Sequence, residues 1–242
     1  DSGVKVLVVI PVDAESAGAV VSLAHQHNVP VIAYDRLIMD CDLDYYISFN
    51  SVLVGKYMAE YVTDLKPEGN YVFLNGPESD HNSKLIYEGV MQVLKPYIDK
   101  GDIKLVYSRY LSEWIELDAY LKLEEYFENT RDVDVIITGG DILARGVLMS
   151  LDEWDLSGKV LLTGQNGDLQ AIKDILDGRQ TMTIYKSLQV IGETAGEVAV
   201  KLAGGGDIKW EEEVFNGKKK VPAILFDPVV VDKNNIRKTV IS

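Results

Sequence analysis

The chain alternates short runs of β-branched and aliphatic residues with longer segments whose apolar positions recur every three or four residues. The short runs, at residues 4–10, 29–34, 45–49, 71–74, 103–107, 133–138, 159–163 and 181–185, are read as strands. Several are almost unbroken in Val, Ile and Leu, as at 6–10 and 160–162, which suits strands buried on both faces of a parallel sheet. Helical spacing fills the intervals at 16–26, 51–65, 82–94, 117–128, 141–153, 168–176 and 188–202. In the last of these, Leu188, Ile191, Ala195, Val198 and Leu202 form one core-facing stripe. Strand–helix alternation over the whole length predicts an α/β fold with mostly parallel sheets and right-handed crossovers.

Turn-forming clusters agree with this division. Pro67-Glu68-Gly69-Asn70, Asp99-Lys100-Gly101-Asp102 and Leu156-Ser157-Gly158-Lys159 each separate a helix from the next strand. Gly204-Gly205-Gly206 reads as a helix stop. The opposed charge runs Glu211-Glu212-Glu213 and Lys218-Lys219-Lys220 read as a solvated loop or hairpin. So many strands suit two sheets better than one. The run at 45–49 follows the run at 29–34 with little room for a helix, so it is expected not to be its parallel neighbour. It is read instead as carrying the chain from one lobe to the next.

Composition narrows the function. Of 242 residues, 47% are apolar and 9% aromatic, enough for real cores and too many for general disorder. Acidic residues number 38 against 24 basic, a net charge of −14, which argues against nucleic acid or an anionic membrane as partner. The single cysteine, Cys41, excludes an internal disulfide framework and a cysteine metal cluster. No apolar run approaches the ~18–20 residues of a membrane span. The opening Asp1-Ser2-Gly3 runs straight toward a strand with no leader-like segment, and is read as a truncation.

In open α/β sheets ligands bind beyond the carboxyl ends of strands, so the residues following each strand carry the candidate chemistry. They are Asp35-Arg36; Asn75-Gly76-Pro77-Glu78-Ser79-Asp80-His81-Asn82; a loop holding Trp114; Gly139-Gly140-Asp141; Gly164-Gln165-Asn166-Gly167-Asp168; and Lys186. Carboxylates, amides and cations supply directional donors and acceptors, and an indole supplies a flat apolar face. A polyhydroxylated small molecule needs both. Each member also has an ordinary explanation. Asp80, Asp141 and Asp168 precede helices and suit N-caps, Asp35–Arg36 suits a surface ion pair, and Trp114 suits loop packing. The weight lies in their coincidence at strand ends.

Catalytic readings find little. There is no phosphate-binding glycine loop with Lys-Ser/Thr, no Gly-x-Gly-x-x-Gly after the first strand and no Gly-x-Ser-x-Gly elbow. His25, His27 and His81 lack the spacing of a metal site. Cys41 lies between Asp40 and Asp42, whose charges disfavour a thiolate. No catalytic group, metal or cofactor is expected.

Further motifs carry a resemblance. Val31-Ile32-Ala33-Tyr34-Asp35-Arg36-Leu37-Ile38, Asp44-Tyr45-Tyr46-Ile47-Ser48-Phe49-Asn50, Asp80-His81-Asn82-Ser83-Lys84-Leu85, Gln180-Thr181-Met182-Thr183-Ile184-Tyr185-Lys186 and Asp232-Lys233-Asn234-Asn235-Ile236 follow in order along the chain. Together they resemble the D-xylose-binding branch of the type I periplasmic sugar-binding (ribose-binding-like) family. The resemblance implies two doubly wound parallel-sheet lobes joined by three crossovers and closing on one sugar like a hinge. The first lobe would be residues 1–47 plus 188–225, and the second 48–187 plus 226–242. Asp35 and Arg36 would contact the sugar from the first lobe; Asp80, Asn82, Trp114, the Gly140–Asp141 corner, Asn166 and Lys186 would do so from the second. It implies an extracytoplasmic, non-enzymatic sugar binder, periplasmic or at the cell surface, held to a membrane through a segment outside this sequence. Its partner would be a membrane transporter or a membrane sensor histidine kinase. The core of a transcription regulator of the same fold is the alternative.

Three departures stand out. Family members begin about two βα units before the equivalent of Val4, so the first lobe is expected to expose a sheet edge and apolar surface. Where xylose binders have Ser-Asn-Asp, this chain has Gly139-Gly140-Asp141, which removes one amide. Their Gly-Gln-Asp is here Gly164-Gln165-Asn166, which exchanges a carboxylate for an amide.

Overall fold

Aliphatic runs become strands and three-to-four-spaced segments become helices in the computed structural model, which describes residues 3–210 and 212–239. In chain order these are β1 (Leu7–Val9), α1 (Gly18–Gln26), β2 (Val31–Tyr34), β3 (Tyr45–Phe49), α2 (Ser51–Leu65), β4 (Gly69–Asn75), α3 (His81–Lys100), β5 (Ile103–Tyr110), α4 (Glu116–Phe127) and β6 (Val135–Thr138). There follow α5 (Asp141–Glu153), β7 (Leu161–Asn166), α6 (Leu169–Leu176), β8 (Met182–Tyr185), α7 (Leu188–Ala203), β9 (Glu212–Phe215), β10 (Lys220–Phe226), β11 (Val229–Asp232) and α8 (Ile236–Thr239). The chain divides into two units. One is Asp1–Asn50, Ser79–Asn82 and Ser187–Asp227; the other is Ser51–Glu78, Ser83–Lys186 and Pro228–Ser242.

The first unit holds a sheet of order β1-β2-β3-β10-β9, parallel except for β9. Side chains alternate across it, as the two-residue strand period requires. Val31 and Ala33 pack with Val21 and Ala24 of α1, while Ile32 packs on the other face with Ile191, Ala195 and Val198 of α7. The strands β2 and β3 are parallel neighbours, with Ile32 opposite Tyr45 and Tyr34 opposite Ile47. This corrects the expectation that they would not pair. The physical requirement for a parallel return is enough chain to recross the sheet face, and residues 35–44 meet it without a helix. They carry their own core: Leu37, Ile38 and Leu43 are fully buried and Cys41 nearly so. The side chain of Asn216, also fully buried, donates to the carbonyls of Ile38 and Cys41 and ties the β9–β10 hairpin to this loop. The hairpin matches the opposed charge runs, except that Glu211 lies outside the described residues. β1 forms one edge of the sheet, and Val8 within it and Val4, Ile10 and Val12 beside it are exposed.

The second unit holds a sheet of order β11-β8-β7-β6-β4-β5, parallel except for β11. One face buries Tyr71 and Phe73 against Val54, Met58 and Val62 of α2 and Ile86, Val90 and Leu94 of α3. The other buries Val72 and Leu74 against Leu123 and Phe127 of α4 and Leu143 and Val147 of α5. Both sheets are thus covered on two faces, and the α/β doubly wound class holds, with an antiparallel edge strand added to each. Strand order reverses at β4: the chain moves to β5 on one side and returns to β6 on the other. Such a switch point leaves a crevice at the strands' carboxyl ends, where no crossover covers them. Among the described residues no helix is long and apolar enough to cross a membrane.

Candidate functional site

In the second unit the switch point brings together the ends of β4, β6 and β7. Gly139 donates its N–H to the carbonyl of Leu74 at 2.8 Å, closing β6 onto β4. The side chain of Asn75 accepts from Gly76 N–H and donates to the carbonyl of Ser83, which fixes the turn after β4. Trp114, half-buried, lies over this turn: a β-carbon at Gly76 would sit 2.1 Å from its Cζ2 and 2.2 Å from its Cη2. Only hydrogen fits there, so Gly76 is the floor on which the indole rests. On the other side, Cζ3 of Trp114 is 3.4 Å and Nδ2 of Asn166 3.8 Å from the β-carbon position of Gly140. Trp114, Gly140 and Asn166 therefore form one corner. Gly76 as a packing requirement is legible only in the fold.

Asp141 faces the opposite way. It is fully buried, and its carboxylate accepts from the N–H groups of Gly167 (2.9 Å) and Asp168 (3.0 Å), Nε2 of Gln180 (3.0 Å) and Oγ1 of Thr183 (2.8 Å). Those donors occupy the lone pairs a carboxylate offers. Desolvation by burial outweighs them and pushes the carboxyl up to about 7. The group holds residues 166–168 in place, where Asn166 (φ 115°) and Gly167 (φ 72°) both take left-handed backbone. Beside it, Gln165 donates to the carbonyl of Gly139 at 2.6 Å, while its own carbonyl is buried without a hydrogen-bond partner. Lys186 follows Tyr185, which pairs in register with Asn166. Asp168 precedes α6 without a side-chain cap; its carboxylate instead accepts from Arg145, which also binds Glu116.

In the first unit the remaining candidates meet at the turn after β2. Asp35 stands at φ 63°, and its carbonyl accepts from Tyr46 Oη (3.1 Å), Ser48 Oγ (2.6 Å) and Asn82 Nδ2 (3.2 Å). Non-glycine residues held in left-handed backbone by several donors are strained positions that concentrate at functional sites. Arg36 Nε lies 3.1 Å from Oδ2 of Asp80, whose side chain is 6% exposed. The other oxygen of Asp80 accepts from Asn82 N–H and caps α3, so the ion pair and the cap are one arrangement. Asp80 and Asn82, expected from the second lobe, thus group with Asp35 and Arg36. Asn82 Oδ1 is buried and has no hydrogen-bond partner. A buried acceptor left unpaired costs about 1–3 kcal/mol, which a ligand hydroxyl would recover.

Elsewhere, His25 pairs with Asp44 at 2.8 Å, and Asp44 also accepts from Val31 N–H, a role in the fold. Burial, more than the neighbouring Asp40 and Asp42, pushes the Cys41 thiol up. Among the described residues no group of three His, Cys, Asp or Glu could hold a metal ion.

Residues 1–207 match the model of the periplasmic binding protein domain. The chain belongs to the periplasmic binding protein family. Within it, the chain is 42% identical over 240 residues to the D-xylose-binding periplasmic protein of Escherichia coli K12, covering 99% of this chain and 73% of that one. It is 41% identical to the protein of the same name from Haemophilus influenzae, covering 100% and 73%. Among solved structures it superposes, with a TM-score of 0.91 and 29% identity, on a carbohydrate transporter solute-binding protein from Chloroflexus aurantiacus in complex with D-glucose. That match covers 99% of this chain and 79% of the other.

Proposed function

We propose that the chain is an extracytoplasmic monosaccharide-binding protein whose ligand is a pentose, D-xylose first, and that it delivers the sugar to a membrane transporter. The observation that carries the reading is the Trp114 platform: an indole seated on Gly76 at the sheet switch point, with the Asn166 amide beside it. An aromatic plane stacks on the C–H face of a pyranose while amides and charged groups take its hydroxyls. On this reading Trp114, Asn166, Gly140 and Lys186 are sugar-binding residues, and so are Asp35, Arg36, Asp80 and Asn82. Asp141 serves it indirectly by holding the loop that carries Asn166. The chain acts by binding and needs no catalytic group. Its relatives' names favour solute uptake over control of transcription, and the net charge of −14 suits a neutral ligand better than nucleic acid. Calorimetric titration with D-xylose, L-arabinose, D-ribose and D-glucose tests it. Saturable binding of D-xylose is expected, and no binding of any of these sugars overturns the reading.

A further inference from the structure

The three glycines around Trp114 are not equivalent. Gly76 is required because any β-carbon would enter the indole, and Gly139 because a β-carbon would lie 2.7 Å from Asn75 Oδ1 and 2.8 Å from Gly76 N. Gly140 has no such reason. Its φ of −177° is extended backbone that every residue adopts, and a β-carbon there would meet nothing closer than 3.4 Å. Neither conformation nor packing demands glycine at 140, yet the missing side chain would have grown from the corner between the edge of the Trp114 ring and the Asn166 amide.

We propose that Gly140 widens the sugar site, so that the chain binds D-glucose as well as D-xylose. The inference rests on the sugar-binding reading above and specifies the breadth of that same site. The two pyranoses share every ring hydroxyl configuration and differ by one equatorial hydroxymethyl on C5. A sugar stacked on Trp114 projects equatorial substituents past the edge of the indole, and the edge at Cζ3 is where Gly140 leaves room. The hydroxymethyl oxygen needs a partner that can donate or accept as the group rotates. Asn166 supplies both, whereas the carboxylate of the family pattern only accepts.

Titrations of the native chain, Gly140→Ala and Gly140→Asn with D-xylose and with D-glucose test the proposal. In the native chain the two dissociation constants are expected within tenfold of each other. Gly140→Asn should widen their ratio at least tenfold in favour of D-xylose, its side chain filling the corner that the hydroxymethyl needs. Excluding one extra group from a subsite is worth roughly 10–200-fold. Gly140→Ala, whose methyl meets only ordinary contacts, should fold and widen the ratio in the same direction, and it decides the matter should Gly140→Asn not fold. Tight D-xylose binding with D-glucose more than tenfold weaker in the native chain, or an unchanged ratio in the variants, overturns the proposal and leaves the sugar-binding reading standing. Binding of neither sugar by the native chain overturns the proposal, and the sugar-binding reading falls with it only if L-arabinose and D-ribose fail to bind as well.

Discussion

Gly76 and Trp114 are in such close contact that a β-carbon on the glycine would come 2.1 Å from Cζ2 of the indole. The contact joins the turn after β4 to the loop after β5, two segments with no signal linking them in the sequence. Gly76→Ala must therefore tilt or expel the indole. Overpacking of this kind costs about 1–3 kcal/mol. The expected outcome is a protein that folds with a lowered unfolding midpoint, altered tryptophan emission and at least tenfold weaker sugar binding. Trp114→Ala should lose the affinity without the overpacking. Retained affinity in Gly76→Ala would show that the indole does not carry the ligand.

Asp141 links the start of α5 to residues 166–168 and to Thr183. Its removal in Asp141→Ala takes the acceptor from the Asp168 N–H and the Thr183 hydroxyl in a buried place, at a cost of about 1–3 kcal/mol for each group. The pH dependence has a definite sign. With the folded pKa raised from 3.8 to about 7, the native state holds a proton that the unfolded chain has released between those values. The stabilisation from this group is therefore complete below pH 3.8 and is lost as pH rises through 7. Denaturant unfolding of the native protein and Asp141→Asn across pH 5 to 8 should show the native advantage shrinking as pH rises. A constant difference would mean that Asp141 does not titrate in this window.

Asp35 sits in left-handed backbone, its carbonyl held by Tyr46, Ser48 and Asn82. Asparagine tolerates that conformation and alanine does not, by about 1–2 kcal/mol. Asp35→Asn should keep the unfolding midpoint while losing sugar affinity at least tenfold, because an acceptor becomes a donor at one oxygen. Asp35→Ala should lose both. Calorimetry beside thermal unfolding separates the two effects, and unchanged affinity in Asp35→Asn would exclude its carboxylate as a ligand.

Legibility in the sequence followed the range of the interactions. β3, α2 and α5 end where local periodicity places them, since their signal lies within each segment. β10 lies outside the runs read as strands, and it contains Pro222, which interrupts a strand pattern. The proline is tolerated because only Ala223–Phe226 pair with β3, and Pro222 faces β9 alone. The helix expected to end at 94 runs to Lys100 through Pro96, tertiary packing prevailing over a local penalty. The pairing of β2 with β3 was misjudged because a loop with a buried core replaced the usual crossover helix. Strand-end position was enough to single out Asp35, Arg36, Asp80 and Asn82, which meet in one unit, and Trp114 and Asn166, which meet in the other. It was not enough to see that Asp141 turns inward, since the donors that hold it lie far along the chain at Gly167, Asp168, Gln180 and Thr183.

Asn82 offers a test that separates binding from stability. Its Nδ2 donates to a carbonyl that Tyr46 and Ser48 also serve, and its Oδ1 is buried with no hydrogen-bond partner. Asn82→Leu, of similar size, removes that acceptor together with a bond whose carbonyl keeps two other donors. The unfolding free energy without sugar should therefore stay within about 1 kcal/mol of the native value. The stabilisation added by D-xylose should collapse. A ligand at 100 times its Kd adds about 2.7 kcal/mol to a competent binder, and a hundredfold loss of affinity cuts that to about 0.4 kcal/mol. Thermal unfolding of both proteins with and without saturating D-xylose reads the two effects separately. A large loss of stability without sugar, with the sugar-induced shift intact, would make Asn82 a residue of the fold and not of the site.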